Sequence, residues 1–138
     1  MPYSKALEIQ NAAVRMRKMG ETGDRVLLME HPPVITLGRR TDYANLLTDR
    51  DELARRGTEI HEVSRGGDIT YHGPGQLVAY PIIDLKKRNS ADVFGYLRGL
   101  ECCLVDALAE LELKASTLPD LTGVFMEGGT SPRKIASI

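Results

Sequence analysis

A chain of 138 residues, with 18 Lys and Arg against 19 Asp and Glu and a formal net charge of −1, has room for one domain with a workable core. Its charges are well mixed, which argues against a nucleic-acid partner, because such proteins carry a basic patch. No apolar run approaches the roughly 20 residues needed to cross a bilayer, so no membrane partner is expected, and Met1-Pro2-Tyr3-Ser4-Lys5-Ala6 lacks the apolar core of a signal peptide.

Residues 3–19 read as a helix: Ala6, Ile9, Ala13 and Met16 recur at helical spacing, and Lys5, Arg15, Arg17 and Lys18 are left for solvent. Gly20 and Gly23 end it. Val26-Leu27-Leu28-Met29 is a continuous apolar run, as in a strand covered on both faces. Pro32-Pro33 breaks the pattern, since neither residue can donate to a ladder. Val34-Ile35-Thr36-Leu37 is a second strand, ended by Gly38, with Arg39 and Arg40 at its mouth. Residues 49–56 predict a short helix with Thr48 as N-cap and Asp49, Asp51 and Glu52 in the first turn.

A strand at 59–64 leads into Arg65-Gly66-Gly67-Asp68-Ile69-Thr70-Tyr71-His72-Gly73-Pro74-Gly75-Gln76, which holds four of the chain's 13 glycines. Glycine permits a positive φ and close approach to the backbone. Two readings stay open: a pair of hairpin turns, or a pocket wall whose amides and polar side chains orient a ligand.

Residues 77–83 form a further strand, and Pro81 within it predicts an edge or a bulge. The longest helix is predicted at 91–112 with Ser90 as N-cap and Val93, Leu97, Leu100, Leu104, Leu108 and Leu111 as its apolar stripe. It carries the two cysteines, Cys102 and Cys103. Adjacent helical residues point about 100° apart, so the pair neither bridges readily nor forms a metal site. A reduced, cytoplasmic setting is expected, and Cys103 is expected in the core beside Leu104 as a small inert residue. Pro119 and Gly123 bracket a loop, Val124-Phe125-Met126 is a short strand, and 127–132 is a turn. Lys134-Ile135-Ala136-Ser137-Ile138 alternates like a strand, and its abrupt end predicts either a closing strand or a chain cut short.

The run 65–85 closely resembles the signature of the lipoate-pathway octanoyltransferases. Glu30-His31-Pro32-Pro33-Val34-Ile35-Thr36-Leu37-Gly38-Arg39-Arg40, Asn45-Leu46-Leu47, Gly123-Val124-Phe125 and Lys134-Ile135-Ala136 resemble further blocks of that family in its order. The resemblance implies an α+β fold, a mixed β-sheet with packed helices as in the biotin and lipoate protein ligases. On it, residues 1–138 are the N-terminal part of one catalytic domain, incomplete at the C-terminus. It implies transfer of an octanoyl or lipoyl group from acyl carrier protein to a lysine of lipoyl domains, those of 2-oxoacid dehydrogenase complexes and of the glycine cleavage H protein. A cysteine thioester is the implied intermediate, and no cofactor is called for. A lysine in the position of Lys134 lies beside that cysteine in the family and lowers its pKa. The family's cysteine comes after the lysine, and no cysteine follows Lys134 here, so truncation before the nucleophile, and a fragment inactive by itself, is the expectation. Cys102 and Cys103 are not expected to replace it, because reactive cysteines occupy electropositive, accessible places.

The residues carried over as substrate-binding are Arg65, Gly66, Gly67, Asp68, Ile69, Thr70, Tyr71, His72, Ser137 and Ile138. Arg65 has a plainer alternative, an ion pair with Asp68 or Glu62. Arg39 and Arg40 are either solvated or receive the acidic surface of the carrier protein. His31 and His61 are assigned to structure. Two other functions compete: an ATP-dependent ligase of the same fold, and a non-catalytic binder of the carrier protein or lipoyl domain.

Overall fold

A computed structural model describes residues 1–86, 92–128 and 130–138. They fall into two compact units, Met1–Ile83 and Asp84–Ile138, each built from short strands and at least one packed helix.

The first unit opens with helix α1, Tyr3–Lys18. Its buried side chains are Tyr3, Ala6 and Ala13, while Ile9 is half-buried and Met16 is exposed. Tyr3 therefore supplies the bulk that the spacing assigned to Met16. Met19 closes the helix, and Gly20 turns the chain at φ +77°. Strand β1, Arg25–Met29, pairs antiparallel with β5, Val78–Ile82, placing Leu27 opposite Tyr80. Each strand has only that one neighbour among the described residues. Pro81 thus sits on an edge strand, where its missing N–H does no harm. Val26 and Leu28 are 54% and 62% exposed, so β1 is not covered on both faces. α1 packs against this two-stranded sheet through β5, and the alternate side chains of β1 face away.

The three-stranded sheet of this unit has the order β3-β2-β4. β2, Val34–Leu37, lies in the middle, parallel to β3 (Glu59–Glu62) and antiparallel to β4 (Ile69–His72). A mixed sheet of this kind buries its central strand on both faces, and every residue of β2 is buried, Thr36 included. Ile35, Leu37 and Leu53 form the local core, with Leu46, Ile60 and Ile69 against it. Leu53 comes from the short helix α2, Arg50–Arg55. Its N-cap is Asp49, whose carboxylate accepts the Glu52 N–H at 2.8 Å, not Thr48 as expected.

The second unit is built on helix α3, Val93–Glu110, and the antiparallel sheet β6-β7-β8: Ala115–Ser116, Val124–Met126 and Arg133–Ala136. Asp92 caps α3, accepting the Gly95 N–H at 2.9 Å. The predicted cap, Ser90, lies outside the described residues, as does Gly129 of the 127–132 turn. Leu97, Leu100, Leu104 and Leu108 are half-buried, but Val93 and Leu111 at the ends of the stripe are exposed. The fully buried residue of α3 is Glu101. Cys102 and Cys103 are both exposed, which corrects the core position expected for Cys103. Glu101 occupies the inward face, and Cys103, two residues on, is turned about 200° from it. No helix among the described residues is long and apolar enough to cross a membrane.

Candidate functional site

The glycine-rich run of the first unit is stitched to the end of β2 by its backbone. Gly38 N–H donates to the Asp68 carbonyl (3.1 Å), Arg39 N–H to that of Arg65 (3.0 Å) and Arg40 N–H to that of Gly67 (3.1 Å). The approach is close because Gly38 has no side chain: a Cβ there would run into the Gly67 carbonyl oxygen and come within 3.0 Å of the Asp68 carbonyl oxygen. Gly67 makes the turn at φ +82°, a conformation that L-residues with a side chain seldom adopt. Gly66 and Gly75 have open space where a Cβ would be. Gly73 is filled instead, because the Tyr71 ring folds over it.

The charged residues of the run turn inward. Arg65 donates from Nε and Nη2 to Thr36 Oγ1 (3.2 and 2.8 Å), from Nη2 to the Thr36 carbonyl (2.8 Å) and from Nη1 to the Gly66 carbonyl (2.9 Å). The alternative ion pair is not what holds it: Asp68 accepts instead from Asp42 N–H (2.9 Å) and Asn45 Nδ2 (2.6 Å), and Glu62 lies 3.9 Å from Arg50. Those two bonds, the backbone one first, hold the Asp68 carboxyl below its usual range. Thr36 was not singled out by sequence, since a threonine in an apolar strand gives no local signal of its partner. Ile69 faces the core, and Thr70 stands opposite Thr36 on β4. Tyr71 is 54% exposed. His72 is half-buried and bonds Gln76 through Nδ1. Arg39 and Arg40 are exposed.

His31 is structural, as expected, and now has partners. It is 2% exposed, its Nδ1 lies 3.0 Å from the Met1 carbonyl oxygen and its Nε2 lies 2.9 Å from the Tyr80 hydroxyl. Tyr3 and His72 rings lie 5.4 and 5.9 Å from it. Burial lowers its affinity for a proton. Beside it, Glu30 accepts the Gly75 N–H at 3.1 Å, anchoring the far end of the glycine-rich run. A concavity of about 810 Å³ in this unit is lined by Arg50, Ala54, Thr58 and His61 among others, and residues 65–76 do not contribute to it.

In the second unit Lys134 projects from β8. Its Nζ donates to the Thr122 carbonyl at 2.7 Å and lies 5.2 Å from the centre of the Phe125 ring. Its stem passes Gly123, where a Cβ would come within 3.2 Å of Lys134 Cε. No carboxylate bonds this ammonium among the described residues, so its charge is not cancelled by an ion pair. Ser137 and Ile138 follow β8 and are exposed.

An α+β fold with short mixed and antiparallel sheets and packed helices is that of the lipoate protein ligase catalytic domains. The chain belongs to the lipoyl protein ligase A/B catalytic domain family, whose model matches residues 2–138 and so takes in both units. It is 48% identical over 136 residues to the octanoyltransferase of Solibacter usitatus, covering 99% of this chain and 60% of that one. It is 44% identical over 144 residues to that of Acidobacterium capsulatum, covering 99% and 58%. The chain thus spans about 60% of the length of these relatives. Among solved structures it resembles a bi-partite lipoate protein ligase, reported with its E2 lipoyl domain as an archaeal lipoylation system from Thermoplasma acidophilum. The TM-score is 0.66 at 18% identity, over 91% of this chain and 48% of that one, a likeness of fold.

Proposed function

We propose that the chain carries the acyl-positioning half of an octanoyltransferase, which moves an octanoyl or lipoyl group from acyl carrier protein to a lysine of a lipoyl domain through a cysteine thioester. The observation that supports it most is the Lys134 ammonium, held on a backbone carbonyl with no carboxylate bonded to it, in a chain whose relatives are octanoyltransferases. The lipoyl-domain partner is supported by the archaeal ligase described above.

A free thiol has a pKa near ~8.5 and is mostly protonated at neutral pH. An ammonium about 4 Å away, at an effective dielectric near 20, favours the thiolate by up to roughly 4 kcal/mol, or about three pKa units before desolvation subtracts some. Such a cation makes the thiolate the major form and stands ready to relay the proton of the incoming amine. The acyl chain needs little polar help: six methylenes buried at about 0.8 kcal/mol each supply roughly 5 kcal/mol. The role left for the glycine-rich loop is to position the thioester, with the open face at Gly66 and the exposed Tyr71 as its contact points.

The test extends the chain to the full length of its relatives, so that the cysteine expected after Lys134 is present, supplies it with octanoyl-acyl carrier protein and a lipoyl domain, and follows acyl transfer by mass spectrometry. Lys134→Ala should slow transfer about 30-fold at pH 7, because only about one thirtieth of a thiol of pKa ~8.5 ionises unaided there, and much less near pH 9.5. A loss independent of pH overturns the role of the lysine. Formation of an acyl-adenylate from ATP and free octanoate overturns the transferase in favour of a ligase. Binding of the carrier protein without a thioester adduct would favour a non-catalytic binder.

A further inference from the structure

Glu101 is a carboxylate with no exposed surface, set in the middle of the apolar stripe of α3. Its Oε1 accepts the Gly123 N–H at 2.7 Å, and its Oε2 accepts Arg98 Nη1 at 2.6 Å. Arg98 also reaches the Leu121 carbonyl at 3.5 Å. The Gly123 N–H belongs to the same peptide group as the Thr122 carbonyl, on which Lys134 Nζ donates at 2.7 Å. A trans peptide is planar, with its N–H and C=O pointing in opposite directions. One peptide therefore stands between a buried anion and the Lys134 ammonium, with both of its polar groups bonded.

We infer that Glu101 is a positioning residue for Lys134, acting through the Thr122–Gly123 peptide. The inference rests on the functional reading of Lys134 given above. Gly123 is held at φ +113°, where the backbone has more freedom than at any other residue type. Nothing in its own conformational preference keeps its peptide from rotating and carrying the Thr122 carbonyl away from the lysine. Glu101 removes that freedom by fixing the N–H end. Hydrogen bonds in series also polarise one another, so an anion on the N–H makes the carbonyl a better acceptor for the ammonium. The charged groups that act on Glu101 are Arg98 on its own helix and Lys134 on β8, and the Gly123 and Arg98 bonds hold its carboxyl below the usual range. The anion thus stays behind a peptide and never bonds the ammonium directly, which would weaken the cation it positions.

The test uses two variants. Glu101→Ala removes the acceptor, and Glu101→Gln keeps an amide oxygen for Gly123 while losing the charge. The first readout is NMR, independent of activity. In Glu101→Ala the Gly123 amide should exchange at least tenfold faster and the Lys134 ¹⁵Nζ and ¹³Cε signals should move toward those of the exposed lysines. In Glu101→Gln, the variant to rely on if Glu101→Ala does not fold, Gly123 protection should persist while the Lys134 signals still move. The second readout is acyl transfer against pH. In the full-length chain, Glu101→Ala should lower transfer at pH 7 with recovery at high pH, Glu101→Gln should lower it less because it still holds Gly123, and adding Lys134→Ala to Glu101→Ala should cause little further loss, because the two act as a unit. Unmoved Lys134 signals in a folded Glu101 variant overturn the inference. So does a Glu101→Ala profile like the wild type while Lys134→Ala shows its pH-dependent loss. If instead the Lys134 signals move but Lys134→Ala transfers normally, the positioning stands and the functional reading of Lys134 falls.

Discussion

Gly38→Ala tests the claim that the glycine-rich run is placed by its contact with β2. An added Cβ would press on the Gly67 carbonyl oxygen, on Arg65 Nη1 at 2.9 Å and on the Asp68 carbonyl oxygen at 3.0 Å. Two of these three are backbone atoms, so no change of rotamer relieves the clash, and the 65–68 loop must move. Overpacking a tight site costs about 1–3 kcal/mol. The same movement stretches the three hydrogen bonds from 38–40 to the loop, and losing one adds about 1 kcal/mol. A destabilisation of about 2–4 kcal/mol follows, which at a urea m-value near 2 kcal/mol/M lowers the unfolding midpoint by roughly 1–2 M. Gly66→Ala is the control. Its Cβ would meet nothing within 4 Å and its φ is outside the left-handed region, so its effect should stay within about 0.5 kcal/mol. Equal midpoints for the two variants would refute the reasoning. The same contrast makes Gly66→Val, in open space, a cleaner obstruction of the proposed acyl contact than Gly67→Val, which at φ +82° would also be strained.

Two further outcomes concern polar groups in the first unit. Folded His31 takes up a proton less readily than its ordinary value of 6.5 because it is buried, with His72 and the N-terminal ammonium adding smaller repulsions. The unfolded chain is therefore protonated first. The contribution of His31 is whole above about pH 6.5 and is lost as the pH falls through its folded value. The melting temperature should drop between pH 7 and pH 5 more steeply in the wild type than in His31→Gln; parallel slopes would contradict a buried neutral imidazole. Thr36 Oγ1 accepts twice from Arg65 and donates to the Thr70 carbonyl at 3.4 Å, so Thr36→Val, of nearly the same shape, should destabilise by about 1–3 kcal/mol in urea titration by leaving part-buried partners unsatisfied. No change would mean that Arg65 finds water in its place.

What could be read without coordinates was what repeats locally. The apolar patterns of 34–37, 91–112 and 124–126 marked a strand, the long helix and a further strand, because burial imposes a period on adjacent residues; that the first of them is central came only from the sheet order. Cap positions were harder. Thr48 and Asp49 both have the short oxygen-bearing side chain a cap needs, and only the extended backbone of Asp49, φ −66° and ψ 157°, decides between them. Glu101 did leave a trace. It falls four residues after Leu97 and three before Leu104, a charge on the very stripe that should be apolar, and such a charge is retained only when paired.

The anchors of the candidate site were illegible for one physical reason: their partners are distant in the chain. Arg65 reaches back 29 residues to Thr36, Asp68 reaches 23 to Asn45, and Glu101 reaches forward 22 to Gly123. A motif shows which residues occur together, but not which of them face inward. The geometry divides the expected set accordingly. Arg65 and Asp68, the most chemically suggestive members of the run, use most of their hydrogen-bonding capacity to fasten the loop, and Ile69 is committed to the core. The groups left facing outward are the unremarkable ones, Gly66 with nothing beside it and the exposed Tyr71. If the proposed reaction is correct, substitution at Arg65 should therefore lower activity and stability together, because it releases the loop. Substitution at Gly66 should lower activity alone. A variant of Arg65 that kept full stability while losing acyl transfer would return that side chain to direct substrate contact.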